Sequence, residues 1–270
     1  MIVSVDFVRE HLSDPGVVIA DVRWYLDGRR GIDAFAKGHI PGAQFVDVDR
    51  ELAAPPGAHG RHPLPAPDDF ARVLSRLGVT PASTVVAYDD AGGAIAARLW
   101  WLLRWVGLDN GRVLDGGIGA WVAAGGELET VTRPREAAPL MTLEPRRDLV
   151  ADIDEVARGD ALLLDARAPE RYRGEHEPID PRAGHIPGAK NAPFAENLRD
   201  GRFRPPAELR ARYEALGADR ADIVCYCGSG VTAAHDVLAL ELAGFPGARL
   251  YPGSWSEWAS DPDRPIATDS

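Results

Sequence analysis

Apolar residues recur along this chain in two periods. Short β-branched or aliphatic runs, Val17 to Val22, Thr84 to Tyr88, Ala161 to Ala166 and Asp222 to Tyr226, read as buried strands. Helical patterns lie between and after them. Helices are expected over Pro67 to Leu77 and Pro206 to Leu216, each stopped by a glycine, Gly78 or Gly217. Longer ones are expected from about Ala94 to Val106 and Val231 to Ala243, each following a central strand. Strands alternating with helices at this spacing predict an α/β fold, with a mainly parallel sheet flanked by helices on both faces. The most apolar stretch, Ala94 to Leu108, is interrupted by Arg98 and Arg104. It falls short of the roughly 18 to 20 residues that a membrane span needs, and reads as a core helix.

The same order of features occurs twice, which is the signature of a duplicated domain. GHIPGA stands at Gly38 to Ala43 and again at Gly184 to Ala189. VVIADVR, ending at Arg23, matches ALLLDAR, ending at Arg167, and VVAYDD, ending at Asp90, matches IVCYCG, ending at Gly228. The halves close alike, on LDGGIGAW at Trp121 and LYPGSWSEW at Trp258. Two tandem domains are therefore expected, residues 1–125 and 151–270. Residues 126–150, with Pro134, Pro139 and Pro145, are expected to be a surface linker.

Composition narrows the possible partners. Apolar residues make up 45% and charged residues 26% of the 270, the balance of a globular protein. The net charge of -11 repels nucleic acid and anionic membrane, so neither is an expected partner. A small anionic substrate would need local positive potential. Asp6, Arg9 and Glu10 stand where a secretory signal would carry an apolar run. The two cysteines, Cys225 and Cys227, are too close in sequence to bridge comfortably, and the usage fits a reducing cytoplasm.

The segment DIVCYCGSGVTAAHDVLALELAGF, from Asp222 to Phe245, carries the chemistry. It places Cys227 at the carboxyl end of a strand and ahead of a helix, the usual ligand crevice of an open α/β sheet. Gly228 and Gly230 let the backbone curl so that successive N–H groups converge on an anion. Such surroundings favour thiolate over thiol and make a nucleophile. Cys225, inside the strand, reads as a small core residue. Zinc would need ligands that the scattered histidines do not supply, and no metal or other cofactor is expected. A cysteine phosphatase would need arginine six positions after its nucleophile, where this chain has Ala233.

GHIPGA in both halves, the DVR and DAR strand ends, CGSGVTA and GSWSEW together resemble the tandem rhodanese-type sulfurtransferases, over essentially the whole chain. The resemblance implies that Cys227 is the catalytic cysteine of a six-residue loop ending at Thr232, with Gly228, Ser229, Gly230 and Val231 between them. It also implies an inactive N-terminal copy, since Asp89 stands opposite Cys227 and cannot carry a sulfane sulfur. The implied reaction loads sulfur from a donor onto Cys227 as a persulfide and passes it to a thiophilic acceptor: cyanide, a thiol or a thioredoxin-like protein.

CGSGVT is similar to the loop of the 3-mercaptopyruvate sulfurtransferases, and uncharged Gly228 and Ser229 suit a monocarboxylate donor better than thiosulfate. Thiosulfate is the alternative donor, and a non-catalytic sulfur carrier or interaction module the alternative in kind. By resemblance Arg171 is the substrate arginine. The position of a second one is Ile179, with Arg182 as its candidate replacement. The resemblance further implies a relay from an N-terminal histidine, His39, oriented by Asp33, through Ser229 to the departing enolate. The bland reading of His39 and His185 is that they lock the proline-containing turns by hydrogen bonding.

Overall fold

A computed structural model describes residues 1–219 and 222–268. It divides into two units: Met1–Ala54 with Pro65–Arg146, and Pro55–Leu64 with the chain from Arg147 onward. The expected boundaries thus differ at two places. Residues 126–146 lie on the first unit, because Glu129 pairs with the His39 backbone, Gln44 donates to Arg133 O and Arg135 donates to Val17 O. Pro55–Leu64 belongs instead to the second unit.

The first unit runs β1 (Ile2–Val3), α1 (Val5–Glu10), β2 (Val17–Asp21), α2 (Gly31–Lys37), β3 (Gln44–Phe45), α3 (Val48–Glu51), α4 (Pro67–Arg76), β4 (Thr84–Tyr88), α5 (Ala96–Trp105), β5 (Gly111–Leu114) and α6 (Gly117–Ala123). Its five strands are parallel, in the order β1-β5-β4-β2-β3. Every residue of β2 is buried, as a strand covered on both faces requires. In α5 even Arg98 is buried, its guanidinium donating to Leu52 O. No helix of the described residues is long and apolar enough to cross a membrane.

The second unit continues with α7 (Ile153–Arg158), β6 (Leu162–Asp165), α8 (Pro169–Tyr172), β7 (Lys190–Asn191), β8 (Leu198–Arg199), β9 (Arg202–Phe203), α9 (Pro206–Ala215), β10 (Ile223–Tyr226), α10 (Ala233–Leu242), β11 (Arg249–Leu250) and α11 (Ser254–Trp258). Its parallel sheet has the order β11-β10-β6-β7, and Val150 pairs in parallel with Leu250 where β1 pairs with β5 in the first unit. The topology is therefore duplicated, with β8 and β9 as an added antiparallel hairpin.

The repeated motifs meet in space within each unit. Asp21 at the end of β2 takes a two-pronged bond from Arg23, whose far nitrogen donates to Gly38 O at 2.9 Å, the first residue of GHIPGA. Asp165 at the end of β6 does the same with Arg167, which donates to Gly184 O at 2.7 Å. Tyr88 OH accepts from Ile40 N–H, and Tyr226 OH from Ile186 N–H. Each pair is buried, so removing one partner leaves an uncompensated charge. Arg167→Ala is expected to cost about 3 to 5 kcal/mol in urea unfolding. Arg72→Ala, which breaks an exposed pair with Asp69, should cost about 1 kcal/mol or less. Equal losses would show that the buried pair does not hold the fold.

Candidate functional site

All four residues of β10 are buried, and the strand delivers Cys227 to the start of the loop that enters α10. Cys227 is 2% exposed, and its Sγ accepts the Gly230 N–H at 3.1 Å. Gly230 has φ +79°, and a Cβ there would lie 2.4 Å from Pro252 O, so glycine alone fits. The backbone of the loop is held from α11: Trp255 N–H donates to Cys227 O and Ser256 N–H to Gly228 O, while Cys227 N–H donates to Ser254 Oγ. Val231 is buried under the loop, and Thr232 caps α10. Cys225 is fully buried in β10, and burial pushes its thiol pKa well up, as suits a core residue.

The equivalent loop of the first unit shows what this backbone shape does to an anion. Asp89 Oδ1 accepts from Ala91 and Gly93 N–H, both at 2.8 Å, and Oδ2 accepts from Ile95 and Ala96 at 2.8 and 2.9 Å. Four N–H groups converge on one carboxylate. Its pKa is nevertheless raised, because complete burial outweighs those bonds. The first cradle is filled by its own side chain.

Around Cys227 the structure brings together residues remote in sequence. Ser229 Oγ lies 2.7 Å from Nδ1 of His62, both side chains being buried. His62 sits on the Pro55–Leu64 strap, which is fixed to α11 at successive residues. His59 pairs with Glu257 at 3.0 Å and Arg61 N–H donates to Ser256 Oγ at 3.1 Å. Between them Gly60, at φ +92°, packs so closely that a Cβ would lie 2.7 Å from Gly253 O. Beside the loop, Arg171 donates to both oxygens of Glu177, at 2.7 and 2.9 Å, and to Asp180 at 3.3 Å. Asp180 also pairs with Arg61. A Cβ on Gly228 would lie 3.0 Å from an Arg61 nitrogen and 3.3 Å from one of Arg171. Burial pushes the pKa of Asp180 up. In Glu177 it is outweighed by the bonds from Arg171 and from backbone N–H groups, which hold that carboxyl below its usual range.

Three expected participants are placed elsewhere. The histidine bonded to Ser229 is His62, not His39. His39 is fully buried, stacked on Phe35 with its Nδ1 2.9 Å from Phe35 O and its Nε2 nearest Glu129. His185 is its counterpart on Tyr172, so both histidines lock their GHIPGA turns. Asp33 is exposed beside Arg30. Arg182 donates to Ala259 O, Trp258 O and Arg264 O, and holds the chain after α11 rather than facing Gly228. Arg61 and His62 escape sequence reasoning because their segment, AAPPGAHGRHPLPAP, has no period and no counterpart motif in the second half. Two histidines and an arginine in a proline-rich loop are the only signal it carries.

A buried cysteine heading an N–H cradle between strand and helix, in a duplicated parallel α/β unit whose first cradle is filled by aspartate, defines a tandem rhodanese-type protein. The rhodanese-like domain matches residues 4–124 and 151–261, and the chain belongs to that family. It is 49% identical to a probable 3-mercaptopyruvate sulfurtransferase of Pseudomonas aeruginosa, over 95% of this chain and 94% of the relative. Identity to a putative thiosulfate sulfurtransferase of Mycobacterium tuberculosis is 44%, over 94% and 91%. The crystal structure of SseA from Escherichia coli, a 3-mercaptopyruvate sulfotransferase, superposes with TM-score 0.83 at 32% identity, covering 95% and 99%.

Behind the loop, α10 carries a buried carboxyl in its first turn, next to the buried His235. Asp236 is fully buried, accepts from Asn197 Nδ2 at 2.7 Å and Tyr213 OH at 3.3 Å, and has no hydrogen-bond partner at Oδ2 among the described residues. Burial raises its pKa to about 7, against a partial counter-effect of Arg212. In the unfolded chain the group ionises near its ordinary value of about 3.9. Its contribution to stability is therefore full below that value, declines as pH rises towards 7, and stays low above it. About three units correspond to roughly 4 kcal/mol. Asp236→Asn, which imitates the protonated form, is expected to raise Tm at pH 8 and to change it little at pH 4. An equal shift at both values would show that ionisation of Asp236 is not the cause.

Proposed function

We propose that the chain moves the sulfur of 3-mercaptopyruvate onto Cys227 and from there to a thiophilic acceptor. The Cys227 thiolate attacks the donor sulfur, the sulfur–carbon bond breaks, and its electron pair leaves in the enolate of pyruvate. The persulfide stays in the cradle, where the Gly230 N–H faces the sulfur. Splitting the transfer into loading and unloading makes each half easier. Gly228, Ser229, Gly230, Val231 and Thr232 shape the cradle, and Arg171 beside Gly228 faces the donor carboxylate.

The observation that carries this donor over thiosulfate is the Ser229–His62 pair. An enolate must be protonated on carbon before it departs as pyruvate, and a hydroxyl backed by an imidazole can deliver that proton. Sulfite, the leaving group of thiosulfate, needs none. The second donor remains in play through the Mycobacterium tuberculosis relative, whose name points to thiosulfate. A small thiol or a thioredoxin-like protein is the acceptor this reading assigns, with cyanide as a surrogate. The two cysteines, neither in a disulfide, support a reducing, cytoplasmic setting.

The test compares donors. With mercaptopyruvate, Ser229→Ala and His62→Gln are each expected to lower kcat by about a hundredfold or more, the scale of general acid catalysis. With thiosulfate they should lower it far less. Equal losses with both donors would assign the pair to loop geometry. Intact-mass measurement after donor alone should show one added sulfur on the Cys225→Ser variant and none on Cys227→Ser. Labelling of both would remove Cys227 from its role and favour a passive carrier.

A further inference from the structure

Ser256, 7% exposed in α11, carries a hydroxyl that neither the cradle nor the relay uses. Its counterpart in the first unit has no side chain. There Ile118 N–H donates to Asp89 O as Trp255 N–H donates to Cys227 O, which sets Gly119 opposite Ser256. A Cβ on Gly119 would meet nothing within 4 Å. In the second unit the hydroxyl at this position is engaged twice, donating to Gly253 O at 2.9 Å and accepting Arg61 N–H at 3.1 Å. The backbone N–H of the same residue donates to Gly228 O at 2.9 Å. One residue thus grips the loop one position before Ser229 and the strap one position before His62, the pair whose Oγ and Nδ1 lie 2.7 Å apart.

The other ties between strap and body differ in kind. His59 meets Glu257 at 3.0 Å, but its side chain is 83% exposed, so water competes for that bond. The Arg61 guanidinium reaches Asp180 at the end of a long side chain, which leaves the main chain free to shift. The Ser256 bond acts on the main chain itself, and Gly60 permits it, since a Cβ there would lie 2.7 Å from Ser256 Oγ. We propose that Ser256 is a positioning residue for the proton-transfer pair: its hydroxyl sets the strap in register with the loop and so keeps His62 on Ser229. The inference rests on the relay of the proposed function. General acid catalysis requires the partners within hydrogen-bond reach, and a misplacement of about 1 Å can cost about a hundredfold in rate.

The experiment measures kcat and KM for mercaptopyruvate at a saturating thiol acceptor on the parent, Ser256→Ala, Ser256→Thr, His59→Gln, His62→Gln and the double variant Ser256→Ala with His62→Gln, with Tm for each. Ser256→Ala is expected to lower kcat about ten- to a hundredfold while KM stays within about threefold, the pattern of an interaction felt only in the transition state. Ser256→Thr keeps a hydroxyl on the same carbon and should stay within about threefold of the parent. His59→Gln should stay within about twofold. In the double variant kcat should equal that of His62→Gln alone, because the hydroxyl acts through His62. This comparison needs no second donor. An unchanged kcat in Ser256→Ala overturns the proposal, and so do losses that multiply in the double variant, which would give the hydroxyl a part of its own. A His59→Gln loss as large as that of Ser256→Ala overturns it too, because register would then belong to the strap as a whole. Should Ser256→Ala not fold, Gly60→Ala carries the test: its added Cβ drives the strap off Ser256 Oγ and must give the same loss, absent in the His62→Gln background. If His62→Gln itself leaves kcat unchanged, the relay falls and this proposal with it, an outcome distinct from a sensitive His62 and an indifferent Ser256.

Discussion

The buried pair of Asp165 and Arg167 is the constraint from which the second unit's site is built. The aspartate ends β6, and the arginine two residues later folds back on it with bonds from Nε and Nη2. Nη2 also donates to Gly184 O and fixes the GHIPGA turn, and Nη1 lies 3.4 Å from Glu177. The guanidinium plane covers the ring of Trp255 in α11, at 4.7 Å from its centroid. Glu177 then orients Arg171, and α11 holds both the loop carbonyls and the Pro55–Leu64 strap. Charge desolvated once in the core thereby sets the position of the cations and N–H groups around Gly228.

The two cradles show that backbone geometry and chemistry are separable. In the first unit the loop after β4 gathers four N–H groups on Asp89, which satisfies them internally and leaves no room for a ligand. In the second unit a shorter, polarisable side chain stands at the same place and accepts the Gly230 N–H. One substitution puts a thiol where the first unit holds a structural carboxylate. The scaffold beneath it, from Asp21 and Arg23 to His39 on Phe35, is kept in both copies because it serves the fold.

Most of this was legible in the chain itself, for identifiable reasons. Strand and helix positions followed from short apolar runs, and the repeat gave the duplicated topology, because Val17–Asp21 and Leu162–Asp165 end on the same Asp-x-Arg staple. The place of Cys227 between strand and helix was legible because Gly228 and Gly230 interrupt the apolar pattern there. The expected helix from Val231 begins at Ala233, since the loop uses Val231 and Thr232 before the first helical turn. What could not be read was tertiary: a strap with no periodicity leaves no record of where it packs. That is why the histidine of GHIPGA, conspicuous in sequence, was paired with Ser229 ahead of the inconspicuous His62.

The strap also completes a charge-balanced cluster in a strongly acidic protein. Net charge governs the long-range field, but over a few ångströms the nearest ion pairs decide, and here four charged side chains, Arg61, Arg171, Glu177 and Asp180, sum to zero beside Gly228. A neutral cluster can be buried without the large desolvation penalty that two unpaired guanidiniums would carry. Each of the two cations is therefore partnered by the protein's own carboxylates. That balance is set by residues from two segments more than a hundred positions apart in the chain, which only the tertiary fold brings together.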